Sequence, residues 1–363
     1  MRSFDEIFED KTKYGTKIKT SEYKEIGKYA IIDQGQEEIA GYTDLEKGVF
    51  EDVPAIIFGD HTRVIKYVRD PFFLGADGVK ILKCKELNAN YKYLYYALKN
   101  AKIPNTGYNR HFKWLKQIQI ECPSIDKQEK IVKILDKVVM VIEDRRKEIQ
   151  ELDKLIKARF IELFGTYPGN EKGWNTGNIR DVVSEVRYGS SRPAVDGGRY
   201  PYLRMNNITY GGELDLSDTK RIDIPDSELA KCTVRHGDVL FNRTNSKELV
   251  GKTCVYNRDE MMVLAGFVIR VRVNEKVLPE FLSAFLNTDF SKKMLLGMCK
   301  TAIGQANINA QELQNIGLYV PPIDLQQEFV DFKIQVNKSK VAVQKALDEA
   351  QLLFDSLMQE YFG

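Results

Sequence analysis

Histidine and cysteine are scarce in this chain: three histidines (His61, His111, His236) and five cysteines (Cys84, Cys122, Cys232, Cys254, Cys299) among 363 residues. The cysteines are odd in number, widely spaced and never in a C-x-x-C pair. That argues against a disulfide framework or a cysteine zinc site and makes a reducing cytoplasm the expected setting. Three histidines leave little material for a metal centre or a histidine-dependent triad. No apolar run reaches the roughly 18 residues that a membrane span needs. The start, Met1-Arg2-Ser3-Phe4-Asp5-Glu6, carries acids early and no apolar core follows, unlike a signal peptide. An excess of one charge is also missing, since 54 Lys+Arg against 52 Asp+Glu leave a net +2. What is present, 43% hydrophobic and 29% charged residues, is ordinary for a globular protein. The length suits more than one domain of about 100–200 residues.

An internal repeat organises the chain. Ile125-Asp126-Lys127-Gln128 lies over Ile323-Asp324-Leu325-Gln326 at an offset of 198, and the match continues without a gap from Asn109/Asn307 to Gly165/Gly363, with 15 identities in 57 positions. The second copy ends with the chain, which points to a protein of two units. In each copy a Pro (Pro123; Pro321-Pro322) breaks the preceding strand, and Asp126 or Asp324 is placed to cap a helix. Some forty residues without Pro or Gly follow. Apolar residues recur at Ile131, Leu135, Val138, Ile142, Ile149, Leu152, Leu155/Ile156 and Leu163, interrupted by Arg145 and Arg159. The second stripe is Phe329, Val336, Val343, Leu347, Ala350, Phe354, Leu357 and Tyr361, interrupted by Lys333 and Lys340. Either stripe alone could pack on a globular core. The matched pair, each about 60 Å long at 1.5 Å per residue, favours an intramolecular coiled coil of two long antiparallel helices.

Residues 1–122 and 166–320 are richer in glycine, proline, aromatics and short β-like runs such as Ala55-Ile56-Ile57-Phe58 and Gly266-Phe267-Val268-Ile269-Arg270-Val271. The expected fold is therefore α+β: two mixed α/β heads (1–122 and 166–320), each followed by a long helix (123–165 and 321–363), with a pseudo-two-fold repeat. The heads diverge in sequence while the helices match, as for two readers of different targets at a fixed separation.

No self-contained catalytic constellation emerges. Ser246-Lys247-Glu248-Leu249-Val250-Gly251-Lys252-Thr253 approaches a phosphate loop, but Ser246 stands where glycine is required and a strand, not a helix, follows. Pro321-Pro322 lacks the flanking residues of an amino-methyltransferase motif, and no acid-x-Lys nuclease pattern is present. The expectation is a non-catalytic chain that binds no metal or cofactor of its own.

Direct readout of bases needs Arg, Asn, Gln, Ser and Thr on fixed loops, and phosphate contacts add Lys and glycine-rich turns. In the first head the candidates are Gln34, Tyr42, Thr43, His61, Thr62, Arg63, Tyr108, Asn109 and Arg110. In the second they are Tyr188, Ser190, Ser191, Arg192, Arg204, Asn206, Asn207, Arg243, Thr244, Asn245, Lys247, Gln305 and Asn307. Each segment alone reads as a turn; Gly59-Asp60 and Gly237-Asp238 are expected as structural turns, and His61 and His111 as polar loop residues. Comparable polar loops in both heads raise the binding reading.

The ordered set resembles the specificity subunit of a type I restriction–modification system, over essentially the whole chain. Asp33-Gln34-Gly35, Ile39-Ala40-Gly41-Tyr42-Thr43, Ile56-Ile57-Phe58-Gly59-Asp60-His61-Thr62-Arg63 and Gly75-Ala76-Asp77-Gly78-Val79 are similar to one class of target-recognition domain. Tyr200-Pro201-Tyr202-Leu203-Arg204-Met205-Asn206-Asn207-Ile208 with Gly237-Asp238-Val239-Leu240-Phe241-Asn242-Arg243 is similar to another. The resemblance implies that each head reads one half of a split site in double-stranded DNA. It implies that the helices set the spacing and carry two modification (methyltransferase) subunits, joined by restriction subunits. S-adenosylmethionine, ATP and magnesium would belong to those partners. Competing readings are the recognition subunit of a system whose methylation and cleavage share one partner chain, a methyltransferase with a degenerate cofactor site, and a coiled-coil scaffold without a DNA role.

The near-neutral total hides an uneven distribution. Residues 54–116 carry 12 Lys+Arg and 4 Asp+Glu, whereas residues 1–53 carry 8 and 13. Residues 231–258 carry 6 and 2, and the last helix 4 and 7. Each head thus has a basic stretch for phosphates, while the small net charge predicts modest DNA affinity for the isolated chain.

Overall fold

The computed structural model describes residues 1–75, 77–302 and 305–363; the side chains of residues 300–302 and 305 lie outside the description. Two compact units are present, Met1–Lys147 with Gln344–Gly363, and Glu148–Val343.

In the first unit β1 (Arg2–Ser3) leads into the one-turn helix α1 (Phe4–Ile7). There follow β2 (Phe8–Asp10), β3 (Tyr29–Ile32), β4 (Gly41–Thr43), β5 (Ala55–Gly59), β6 (Ile65–Val68), β7 (Phe72–Leu74) and β8 (Val79–Cys84). Helices α2 (Tyr91–Lys99) and α3 (Phe112–Leu115), strand β9 (Gln119–Ile120) and the long helix α4 (Ile125–Phe164) complete the order. One sheet runs β2-β8-β5-β6, another β4-β3-β7. The apolar run of β5 is buried along its whole length, as an unbroken hydrophobic strand must be. Gly59 closes this strand and opens the expected turn, its carbonyl accepting from Arg63 N at 2.7 Å. Helix α2 starts where the Asn90 side chain accepts from Tyr93 N, and it buries Tyr93, Leu94, Ala97 and Leu98, the i, i+4 spacing of one helical face.

The second unit contains β10 (Asn175–Asn178), β11 (Val183–Tyr188), β12 (Tyr200–Leu203), β13 (Lys220–Ile222), α5 (Asp226–Cys232), β14 (Thr233–Val234), β15 (Val239–Asn242) and β16 (Thr244–Asn245). Then come β17 (Thr253–Val255), β18 (Met262–Leu264), β19 (Val268–Val273), α6 (Pro279–Leu286), α7 (Asp289–Met298), β20 (Lys300–Ala302), β21 (Gln305–Asn307), α8 (Ala310–Gln314), β22 (Gly317–Val320) and α9 (Ile323–Phe362). Two of its sheets, β11-β19-β15-β17 and β13-β12-β18-β14, repeat those of the first head with β14 added, and a third, β16-β21-β20, is its own. In both heads one inner strand of the second sheet, β3 or β12, pairs antiparallel on one side and parallel on the other. The heads that diverge in sequence therefore share one topology.

The repeat also reaches upstream of each head. Ser3 pairs with Gln119 in β1-β9, and Asn178 pairs with Gly317, 198 residues beyond Gln119, in β10-β22. The helical turn that follows is capped alike: Glu6 accepts from Ser3 N at 2.6 Å, and Asp181 from Asn178 N at 2.8 Å. Each head is thus closed by an antiparallel strand pair just before its long helix.

The long helices pack side by side and antiparallel within each unit. In the first unit Ile131, Leu135 and Ile142 of α4 share a core with Phe354 and Met358 of α9. In the second, Phe160 stands edge-on to Phe329 at 5.3 Å, and Arg159 bonds Glu328 while Lys340 bonds Asp153. Two details revise the sequence reading. Asp126 and Asp324 are not N-caps: Ser124 and Pro322 offer their carbonyls to the first helical N–H groups, and the acids sit second in the first turn, where they favour the positive end of the helix dipole. The duplicated Gln128 and Gln326 reach back to the carbonyls of Pro123 and Pro321, both at 2.9 Å. The second revision concerns the stripe. Leu155 is 47% exposed while Ile156 and Leu163 of the stripe pack against the core, and Phe160 and Phe164, absent from the expected stripe, are buried in it as well. Helix α4 ends at Gly165, whose φ of +80° suits a residue without Cβ.

Candidate nucleic-acid interface

In the first head one set of loops meets beyond the ends of the strands. Gln34, just after β3, donates from Nε2 to the carbonyl of Asp77 at 3.0 Å and accepts from His61 N at 3.2 Å. Thr62 Oγ1 donates to the Gln34 carbonyl at 2.6 Å. A fourth loop joins them where His111 N donates to the Asp60 carbonyl at 2.8 Å and Asp60 Oδ1 accepts from Phe112 N at 2.7 Å. The ring of Tyr108, 87% exposed, stacks on His61 with centroids 4.7 Å apart. Arg110 is exposed beside it, with no hydrogen bond or ion pair among the described residues. Asn109 is held by its own turn, donating to the Thr106 carbonyl. Arg63, with φ 63°, points its guanidinium to the Ile103 carbonyl at 3.3 Å.

The second head builds the same junction from different residues. The backbone bridge from His111 to Asp60 is replaced by Ile308 N donating to the Arg243 carbonyl at 2.9 Å. Arg243 lies over the Tyr188 ring at 4.8 Å, and its N–H donates to the Phe267 carbonyl at 3.0 Å. Tyr188 Oη accepts from Ala310 N at 2.9 Å. Thr244 Oγ1 donates to Asn307 Oδ1 at 3.0 Å across the β16-β21 pair. Gly266 N donates to the Ser190 carbonyl at 2.7 Å, which draws in the loop carrying Ser191 and Arg192. Below this junction the buried Arg270, with Arg272, binds Glu185 and so ties β11 to β19. Burial opposes ionisation of Glu185, but Arg187, Arg270 and Arg272 outweigh it and hold its carboxyl below the usual carboxylate range.

Burial and hydrogen bonding separate the candidate side chains that the loops hold from those left toward solvent. Asn207 is buried: its amide donates to the carbonyls of Asp215 and Asp218, and its oxygen accepts from Arg204 N. Turning it outward would strand those partners, at a cost of about 1–3 kcal/mol. Gln34, Ser190 and Thr244 are likewise committed inward. Thr43 is buried opposite Tyr29, at the end of β3 remote from Gln34, and neither it nor Tyr42 is bonded to the loop junction among the described residues. These residues have the right chemistry for bases but serve the loops themselves. Arg192 and Arg204 pair with Glu228 and Asp218, both at 2.7–2.8 Å near the surface. Such pairs are worth about 0–1 kcal/mol, so a phosphate can displace the acid cheaply. Ser191, Asn206 and Lys247 are exposed. Asn245 bonds its own turn through Ser246 N. Gln305 contributes its backbone to β21; its side chain lies outside the described residues.

The two-fold occurrence of this junction agrees with the relatives of the chain. The family described as the type I restriction modification DNA specificity domain matches residues 1–154 and 171–350. The chain belongs to that family. It is 22% identical over 258 residues to the specificity subunit of the type I restriction enzyme EcoKI of Escherichia coli (strain K12), a match covering 67% of this chain and 55% of the relative. It is 23% identical over 193 residues to a putative type I specificity subunit, MjaX, of Methanocaldococcus jannaschii, covering 52% and 45%. The chain thus spans about half the length of these curated relatives. In fold it is similar to the S subunit of the type I system of M. genitalium, with a TM-score of 0.56 at 16% identity over 100% of this chain and 95% of that one. A further type I restriction–modification chain, from work on complex assembly and conformational transition, also gives 0.56, at 17% identity.

Two features of this specificity-family chain were not legible in its residues. Phe267, 52% exposed, sits in the turn before β19, although Gly266-Phe267 reads as the start of a strand. Its position corresponds to the turn carrying Asp77 in the first head. His111 is fully buried, with Nδ1 at 3.0 Å from the Asp60 carbonyl, rather than a polar loop residue. The phosphate-loop look-alike joins β16 to β17. Its Lys252 is buried and donates to the Met205 carbonyl at 2.9 Å, so it is not available to a phosphate. Burial pushes the thiols of Cys84 and Cys254 up to about 12, which makes them poor nucleophiles. Among the described residues no group of three His, Cys, Asp or Glu side chains could hold a metal, and no helix is long and apolar enough to cross a membrane.

Proposed function

We propose that this chain is the DNA-specificity subunit of a type I restriction–modification complex. Each head reads one half of a bipartite site in double-stranded DNA, and the paired helices set the spacing and dock two modification subunits. The observation that carries this reading is the loop junction built twice, on one topology, from different side chains. The same backbone scaffold carries a different set of donors in each head, which is what two unlike half-sites require. In the first head His61, Tyr108 and Arg110 face the bases, with Thr62 and Arg63 beside them. In the second, Tyr188, Ser191, Asn206, Arg243 and Lys247 do so, with Phe267 added and Arg192 and Arg204 turned to phosphates.

The chain itself performs no chemistry in this reading. Methyl transfer from S-adenosylmethionine belongs to the modification subunits, and ATP- and magnesium-dependent steps to the restriction subunits, in the cytoplasm. Methylome sequencing of cells expressing the complete system tests it. A split, asymmetric motif is expected, and Arg110→Ala is expected to relax only one of its halves, at about 1–3 kcal/mol of discrimination. Loss of both halves together, or methyl transfer by this chain alone, would contradict the assignment.

A further inference from the structure

The repeat breaks down at one place inside the second unit. A cleft of about 430 Å³ opens between α4, residues 211–213, the corner between α6 and α7, and α9. Phe160, Tyr167, Phe285, Phe290, Tyr319 and Phe329 give it an aromatic lining. Five charged side chains also line it, and four of them are paired. Lys157 bonds Asp289 at 3.1 Å, while Asp153 and Glu213 both bond Lys340, at 2.6 and 2.7 Å. The fifth, Lys333, has no hydrogen bond or ion pair among the described residues. Burial holds its ammonium below the ordinary lysine range, and Glu280 and Glu213 oppose that only from a distance.

The other unit shows that the fold does not need a cation here. At the offset of 198, Lys333 corresponds to Leu135, Asn337 to Val139 and Lys340 to Ile142. Leu135 is fully buried in the first unit's core. An unpaired lysine in a largely apolar recess is costly unless something supplies its counter-charge. The cleft falls within the range of small-ligand sites, about 300–1,000 Å³.

We propose that this cleft is a binding site for an aromatic carboxylate, with the ring among the phenylalanines and the carboxylate on Lys333. Ring edges and faces are already available for offset or edge-on packing, and each acid of the lining is already bonded to another lysine, Asp289 to Lys157 and both Asp153 and Glu213 to Lys340, so none of them takes the Lys333 ammonium. The site is separate from the DNA-reading loops.

Calorimetric titration of the full chain with 1-naphthaleneacetate and with its neutral analogue 2-(1-naphthyl)ethanol tests the assignment. One acetate is expected per chain, bound about tenfold tighter than the alcohol, the weight of one charge-assisted hydrogen bond. Lys333→Leu, the residue the first unit uses at this position, is expected to remove that preference while the alcohol still binds, which also shows that the variant is folded. Ala284→Trp is expected to block both ligands. Equal affinity for the two, binding of neither, or an undiminished preference in Lys333→Leu overturns the proposal. If neither binds while Lys333→Leu weakens capture of a modification subunit, the occupant is a segment of that protein and the small-molecule assignment falls.

Discussion

Phe160→Ala against Leu155→Ala separates the observed helix face from the one read off the heptad stripe. The Phe160 ring is 2% exposed and lies 4.8, 5.3 and 5.6 Å from the rings of Phe164, Phe329 and Phe281. Truncating a buried phenylalanine costs about 3–5 kcal/mol, the lost transfer energy plus the cavity left behind. In a unit of about 200 residues each kcal/mol shifts the midpoint by about 2–4 °C, so a fall of about 10 °C is expected. Leu155, on the solvent side of the same helix, has little burial to lose, and its truncation should cost at most about 1 kcal/mol. The chain has two tryptophans, and Trp174 donates from Nε1 to the Phe164 carbonyl at 2.9 Å, one turn from the substitution. Trp114 belongs to the other unit, and its buried Nε1 has no partner among the described residues, so Trp114→Phe gives a chain with a single reporter. Guanidinium unfolding followed by Trp174 fluorescence measures both variants in that background. A Leu155→Ala cost equal to or above that of Phe160→Ala would refute the packing described for α4 and α9.

Asp60→Ala removes the acceptor of Phe112 N and leaves that N–H without its partner. A loss of about 1–2 kcal/mol is expected, with faster amide exchange in residues 106–111 than elsewhere in the head. Lys292 is held down to about 8, chiefly by burial and then by Lys157 and Lys252. The unfolded chain therefore binds more protons than the folded one above that value, and the second unit should gain stability between pH ~8 and the ordinary lysine value of ~10.4. Lys292→Met should flatten that rise in a series of denaturant midpoints.

The duplicated helices were legible from the amino-acid sequence because a forty-residue span without Pro or Gly has few folded alternatives. The offset of 198 then located the second copy residue by residue. The shared topology of the two heads was not legible, since sheet pairing joins residues as far apart as Val183 and Val273, and many apolar sets satisfy the same pleat. For the candidate site, residue type names polar side chains but not which of them the loops themselves hold. Asn206 and Asn207 are neighbours of one type, yet one is exposed and the other spends its amide on Asp215 and Asp218. Phe267 shows the converse, because an apolar residue beside a strand has the sequence pattern of the strand itself.

Composition and repeat by themselves determined the class of molecule: two heads on two rods, few histidines and cysteines, and charge gathered locally rather than overall. The tertiary structure alone decided which polar groups are left over for a partner. A hydrogen-bonding side chain is a reader only when no nearer backbone group has taken its donors and acceptors, and that competition is settled by packing across the whole unit. The same rule isolates Lys333: its counterpart Leu135 shows what the helix requires, and the three-dimensional pairing of Asp153 and Glu213 with Lys340 and of Asp289 with Lys157 leaves its ammonium without a bonded acid among the described residues.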